Sequence, residues 1–409
     1  MPHLPWPSGL RSRSGWTPDR SRALLAGLTS TVWSTVRALT ASTLDVPQVE
    51  AKLAAGMHVH ELVELAAALQ ERLAELSVPT PAREPVAPDA HRLAHTLRAD
   101  PATDRVVLLY GYWLPRLDAE IRAGLSSVDR LLDGPSWRLL RRAQTDLADA
   151  LEWGRQAVDR CGPAGLTAAV VADVAAITGA GQAAPAFDRP RSAARDPRYR
   201  TFADTRSYRK APDWVDGDSE YDCDLVELLR VNRDEIDAIE TFALALFDLV
   251  DQAPLPALRH LARLSWDEAR HAAIGHLVLE ERGNDGFDLA CSMIGINLRA
   301  AMNGYDAWAQ ITLFGELAII RPMRELARRA TAVGDERIAA VFGFICSDEV
   351  LHLRESRDWL ERLHPAGGLE AAAEAVRREA ARLLSERGVL AEEQYLALTP
   401  AEIFALVGE

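Results

Sequence analysis

Two pentapeptides constrain this chain more than anything else in it: Asp267-Glu268-Ala269-Arg270-His271 and Asp348-Glu349-Val350-Leu351-His352. Residues three apart on a helix share a face, so each Glu-x-x-His directs a carboxylate and an imidazole to one point. The tetrad alone is weak. With 29 glutamates and 10 histidines in 409 residues, roughly 0.7 such tetrads arise by chance. A third one, Glu361-Arg362-Leu363-His364, serves as a control. The first two are set apart by their upstream partners. Glu235 stands 33 residues before Glu268 and Glu316 stands 33 before Glu349, whereas the same step back from Glu361 reaches Arg328. The two segments superpose at one offset of 81, aspartates included, which is the mark of an internal repeat.

The spacing predicts helical hairpins. Midway between Glu235 and Glu268 lies the break Asp251-Gln252-Ala253-Pro254, and midway between Glu316 and Glu349 lies Gly334. In an antiparallel pair each upstream Glu is then level with its Glu-x-x-His. The apolar stripes agree: Leu228, Val231, Glu235, Ala238, Phe242 on the first helix and Leu261, Ser265, Glu268, Ala272 on the second. Thr312, Leu313, Glu316, Ile319, Met323 form the stripe of the third, and Val341, Ile345, Glu349, His352 that of the fourth. Every candidate occupies a position where a core residue is expected.

Four carboxylates buried together without counter-charge would cost several kcal/mol each. No arginine lies on these stripes, and Lys52 and Lys210 are the only lysines. Two divalent metal ions are the economical neutraliser, and four Glu with two His suit iron or manganese better than copper or structural zinc. Glu240 is the rival to Glu235. Five positions on a helix turn too far for both to face one site, and the 81-offset partner of Glu240 is Arg321, so Glu240 is expected in a supporting or surface role.

Elsewhere helical periodicity dominates and β-type alternation is nearly absent, so the chain is expected to be all-α. Residues 1–19 read as an arm, 20–162 as a helical domain with stretches at 20–42, 46–77, 102–126 and 134–160, and 163–224 as a linker. The aromatics of that linker, within the Arg-rich run 189–214, suggest a strap lying on a surface. Residues 225–363 form the domain with the repeat, and 364–409 the closing helices, the last opened by the capping box Thr399-Pro400-Ala401-Glu402. A net charge of −14 argues against a nucleic-acid partner. Four scattered cysteines exclude a Cys-x-x-Cys iron or zinc site. With neither a leader-like start nor a long apolar run, no membrane partner is expected and the placement is cytoplasmic.

The four-helix pattern resembles the ferritin-like superfamily of carboxylate-bridged di-iron proteins, such as bacterioferritin, rubrerythrin and the small subunit of ribonucleotide reductase. Glu235-Ile-Asp-Ala238 resembles the family's first-helix Glu-x-x-Ala, and Arg337-Ile-Ala-Ala-Val-Phe342 before Asp348 resembles the fourth helix of rubrerythrin. The resemblance implies that Glu268 and Glu349 bridge two metals, with Glu235 and His271 completing one and Glu316 and His352 the other. It also implies that Asp267 and Asp348 hydrogen-bond the ligand histidine of the opposite helix. Residues 20–160 look like a second, degenerate copy: His58-Val-His-Glu61-Leu-Val-Glu64 and Thr145 to Asp149 fall where the motifs would, without a surviving Glu-x-x-His.

The function this implies is an oxidase or oxygenase that uses two iron ions, or a manganese–iron pair, with dioxygen on a small organic substrate. Ala269, Ala272, Ala273 and Gly275 around His271 are expected to leave room for it. The alternatives are a ferroxidase or peroxide-handling protein, and a metal-free helical interaction protein. A radical-storing role is disfavoured, since Gly275 stands where that family keeps its tyrosine. With no reductase domain read in the sequence, electrons are expected from an external donor or reductase partner or from the substrate, and a homodimer is compatible. Of the remaining candidates, His58 and His60 are expected at a surface or interface and His260 and His276 partly exposed, with Trp266, Tyr305 and Trp308 in ordinary packing.

Overall fold

Helix accounts for nearly all of the regular secondary structure, as the periodicity requires. A computed structural model describes residues 15–76, 102–161, 189–190, 192–202, 220–399, 402–403 and 406. The chain is all-α, and among the described residues the one exception is a two-residue parallel pair, β1 (Thr201–Phe202) with β2 (Cys291–Ser292), in the register Thr201 to Cys291. It divides into two units, residues 1–42 with 58–188, and 43–57 with 189–409. Among the described residues no helix is long and apolar enough to cross a membrane.

The first unit holds most of α1 (Pro18–Asp45) and α2 (Val49–Glu75), then α3 (Ala102–Leu108), α4 (Leu114–Ser127), α5 (Gly134–Asp146) and α6 (Ala148–Cys161). Two of the expected helices are interrupted. A π turn, Leu109–Trp113, joins α3 to α4, and the last stretch breaks at Leu147. The Asp133-Gly134-Pro135 turn acts as expected: Asp133 caps α5 by accepting from the Ser136 N–H at 3.2 Å. His58 is not at a surface. It is buried against Tyr110 and Trp153, its Nδ1 sharing a 3.0 Å hydrogen bond with the Tyr110 hydroxyl, and burial pushes its pKa down to about 4. The Pro79–Pro88 break lies outside the described residues.

The second unit is built from four rods. The first is α7 (Glu220–Asp234) running into α8 (Ile236–Leu249), and the second is α9 (Leu255–Glu281). The third is α11 (Gly304–Ile311), a π turn (Thr312–Glu316) and α12 (Leu317–Val333), and the fourth is α13 (Glu336–Leu363). Both hairpins form. Pro254 opens α9, and Gly334, at φ 80°, closes α12 before Asp335 caps α13. Because α7 packs on α12 and α8 on α11, the first and third rods run antiparallel. A short helix unseen in the sequence, α10 (Ile294–Ala301), lies in the crossover. Beyond the rods come α14 (Leu369–Glu386) and α15 (Glu392–Leu396). The capping box holds: Glu402 accepts from the Thr399 N–H at 2.8 Å, and the Glu402 N–H donates to the Thr399 hydroxyl at 3.3 Å.

Two segments expected elsewhere belong to this unit, and buried polar anchors explain why. Residues 43–57 bring Lys52, whose ammonium donates to the carbonyls of Thr43 (2.7 Å) and Leu44 (3.2 Å) and to Glu240. Residues 189–202 bring Arg195, which donates to both Glu240 oxygens at 2.6 Å and to Asp237, while the Tyr199 hydroxyl meets His276 Nε2 at 2.5 Å. The described part of the strap is therefore built into the unit. The rest of it lies outside the described residues.

Gly275 departs from its expected role. A Cβ there would lie 2.3 Å from the Arg233 nitrogen and 2.8 Å from the Leu229 carbonyl, so the glycine lets α9 touch the backbone of α7 and opens no room. Ala269 and Ala272 likewise pack in a buried cluster with Val49, Ile236 and Ile239. Gly275→Ala should cost about 1–3 kcal/mol by overpacking, because backbone cannot step aside as a side chain can. Chemical denaturation checks this, and an unchanged midpoint would contradict the close crossing.

Candidate metal centre

The six side chains come from three kinds of helical setting. Glu268 and His271 project from unbroken α9, and Glu349 and His352 from unbroken α13. Glu235 sits at the junction of α7 and α8, where ψ is 0° and helical bonding is interrupted. Glu316 ends the π turn of the third rod. A break in regular helical bonding re-aims the side chains beside it, and both single-Glu rods have one where they contribute.

All six meet. Glu235, Glu268, His271 and Glu349 form one group, and Glu268, Glu316, Glu349 and His352 a second, each with ligand atoms within 4.8 Å of one another. Glu268 and Glu349 belong to both. All six are buried, none more than 3% exposed. His271 Nδ1 lies 3.2 Å from both Glu235 Oε2 and Glu349 Oε1, and His352 Nδ1 lies 3.1 Å from Glu268 Oε1. Yet Glu235 Oε2, Glu268 Oε1, Glu349 Oε1 and His352 Nδ1 make no hydrogen bond. Besides the Asn232 amide on Glu235 Oε1 (2.9 Å) and the long His271 Nδ1–Glu268 Oε2 bond (3.3 Å), lone pairs this close with so few donors among them are what a cation site requires and what a hydrogen-bonded core avoids. The buried cluster can hold a metal ion.

The distal imidazole nitrogens are tied down crosswise. His352 Nε2 donates to Asp267 Oδ2 at 3.1 Å, and His271 Nε2 to Asp348 Oδ2 at 3.3 Å. This leaves each Nδ1 facing the carboxylates. Arg263 donates to Asp267 at 2.7 Å, and Arg270 donates to Asp267 and, at 3.3 Å, to Asp348. Both guanidiniums lie over the Trp266 ring, 4.8 and 4.7 Å from its centroid. Burial would raise the Asp267 carboxyl, but His352 and Arg263 hold it well below the usual carboxylate range.

Without metal, protons take over part of the neutralising role. Burial, with the charge of Glu268 adding to it, pushes Glu235 well above its ordinary value. Burial opposes charging His271 and His352, but the surrounding carboxylates outweigh it and raise both far above 6.5. The same imidazoliums overcome burial at Glu349 and bring it down to about 2. Metal must displace the protons on His271, His352 and Glu235, so binding should release protons and weaken as pH falls. Groups raised in the folded state stabilise most below their unfolded values and lose that contribution as pH rises. The melting temperature of the metal-free chain should therefore fall from pH 6.5 upward, since unfolded His titrates at about 6.5, and saturating divalent metal should remove the trend. A metal-free melting temperature that rises over that range would contradict this protonation scheme.

Several other candidates resolve. Glu240 is neither at the surface nor at the centre: fully buried, it is held by Lys52 and Arg195. Asp237 is faced by Arg195 and Arg299, and burial still lifts its carboxyl to about 6. His260 is buried, whereas His276 is half-buried as expected. Of the expected packing aromatics, Trp308 is fully buried, while Trp266 and Tyr305 are half-buried. In the control tetrad, Glu361 accepts from the Leu369 N–H and His364 bonds Asp306 at 2.9 Å, so it only ties the end of α13. In the first unit Glu61 feels Asp149 and Asp146, and burial with those charges lifts it to about 7. Among the described residues both clusters with metal-ligand geometry lie in the second unit. The signals that sequence reasoning missed are the Glu235 junction, the π turn and the Arg263–Arg270 clamp. Only the clamp had a trace, as arginines four before and three after Asp267.

No protein-family model matches the chain, and comparison with curated proteins and with solved structures finds no match.

Proposed function

We propose that the protein is a ferritin-like di-iron oxidase or oxygenase that uses dioxygen on a small organic molecule. The observation that carries this reading is the pair of buried ligand groups sharing Glu268 and Glu349. Four carboxylates and two imidazoles favour iron, or a manganese–iron pair, over copper or structural zinc. When bound and reduced, such a pair supplies the two electrons that activate dioxygen.

The chain's own part is to hold and orient. Glu268 and Glu349 would span both ions, Glu235 with His271 would complete one position, and Glu316 with His352 the other. Asp348 and Asp267 keep the proton of each imidazole on Nε2, so Nδ1 stays a lone-pair donor. On one side of the carboxylate layer, Leu228, Val231, Leu279, Ile319, Met323 and Ile345 belong to a continuous apolar cluster that excludes water. Electrons come from an external donor or from the substrate.

Anaerobic reconstitution with ferrous iron, then exposure to oxygen, tests the reading. Two irons per chain and a near-ultraviolet charge-transfer band that forms only with oxygen are expected. A chain that stays colourless and iron-free would sink it. Rapid turnover of excess ferrous ion without an organic substrate would replace it with the ferroxidase reading.

A further inference from the structure

The two ends of the rods differ. From the carboxylate layer toward Leu228, Leu279, Met323 and Phe342 runs a continuous apolar cluster, with Asn232 held against Glu235 at its edge. In the opposite direction, one to two turns away, polar side chains are buried. On the third rod Thr312 is four residues before Glu316 and Trp308 eight before it, on the far side of the π turn, and both are fully buried. Gly304, a further turn back on the face of Trp308, points at Ala245 and Asp248 of α8, which fixes the face as inward.

The Trp308 ring stands 6.0 Å from the ring of His260, and His260 Nε2 bonds the Ser356 hydroxyl at 2.8 Å. His260 is eight residues before Glu268, and Ser356 four beyond His352. Three rods thus join in one layer about two helical turns from the carboxylates. Thr312 lies between the layers.

Two donors here lack protein partners among the described residues: the Trp308 indole N–H and the Thr312 hydroxyl. For Thr312 this is a departure from the chain's own habit. Thr29, Thr35, Thr40, Thr241 and Thr331 each turn the hydroxyl back to the carbonyl four residues earlier. Thr312, at the start of the π turn, does not. A buried donor without an acceptor costs about 1–3 kcal/mol, and two on one face, beside a metal-ligand layer, indicate a ligand that supplies the acceptor.

We propose that Trp308 Nε1 and Thr312 Oγ1 form the recognition end of a substrate pocket on this side of the centre, for an uncharged molecule with a carbonyl-type oxygen on an apolar body. This rests on the oxygenase reading. An anion is disfavoured: burial holds His260 neutral, its pKa pushed down to about 3, the buried Arg299 is already engaged by Asp237 and Gln310, and the carboxylates lie one turn beyond Thr312.

The test uses the full chain, zinc-loaded, oxygen-free and labelled with fluorotryptophan, read by fluorine NMR. Acetophenone should shift one of the ten tryptophan resonances, the one missing from Trp308→Phe. Thr312→Val should weaken that binding about five-fold, the worth of one neutral hydrogen bond, and Thr312→Ser should restore it. The hydrocarbon isostere α-methylstyrene and the anion benzoate should bind at least five-fold more weakly. An unmoved Trp308 resonance overturns the site, and equal or tighter binding of α-methylstyrene or benzoate overturns the ligand class. If the chain takes up no zinc yet the resonance responds to acetophenone selectively, the pocket stands and the metal reading falls.

Discussion

Glu268→Ala will bind neither metal. Glu268 belongs to both ligand groups, so its loss removes one donor from each position and the link between them. Metal analysis after reconstitution should fall from two ions per chain to a trace. Glu235→Ala and Glu316→Ala, each confined to one group, should lose one ion first. His352→Ala should vacate the position it shares with Glu316. Two tightly held ions in Glu268→Ala would remove that residue from the ligand set.

Glu240→Leu will behave in the opposite way, with a large loss of stability and little change in metal content. Lys52 and Glu240 are 1% and 0% exposed, and Arg195 is 4% exposed. Removing the carboxylate leaves two buried cations without it, and breaking a buried pair from one side costs about 3–5 kcal/mol. Burial already depresses the Lys52 ammonium against the pull of Glu240, so in this variant it should shed its proton. Lys52→Met in the same chain should recover most of the loss, because a buried pair replaced by apolar groups is close to neutral. Urea denaturation reads both. If Glu240→Leu lost metal as Glu235→Ala does, Glu240 would be a ligand after all.

The rods and the centre are legible in the sequence because one periodicity carries both. Glu235, Glu268, Glu316 and Glu349 stand in apolar stripes, and a stripe that holds its phase through a charged residue says where that residue points. The crosswise aspartates are signalled by the matched Asp-Glu-x-x-His pairs. The features that escape such a reading depend on neighbours distant in sequence. Gly275 reads as space, yet Arg233, 42 residues earlier, fills it. Lys52 and Arg195 read as part of another domain and of a linker, yet both are buried in the second unit against Glu240, 188 and 45 residues away. The irregularities at Glu235 and at residues 312–316 leave no mark in composition, since each is a local change of backbone bonding in an otherwise helical stretch.

The π turn has its own consequence. In the first unit the π turn ends at Trp113, 33 residues before Asp146, just as its counterpart ends at Glu316, 33 before Glu349. A wide turn is thus present in the first unit at a position that carries no carboxylate, so such a turn does not by itself require a cation. A single inserted residue rotates everything on its N-terminal side by about 100° relative to the C-terminal remainder of the helix. The third rod therefore behaves as two cylinders sharing an axis, one presenting Trp308 and the other Glu316 and its successors, with their relative rotation set by a single residue.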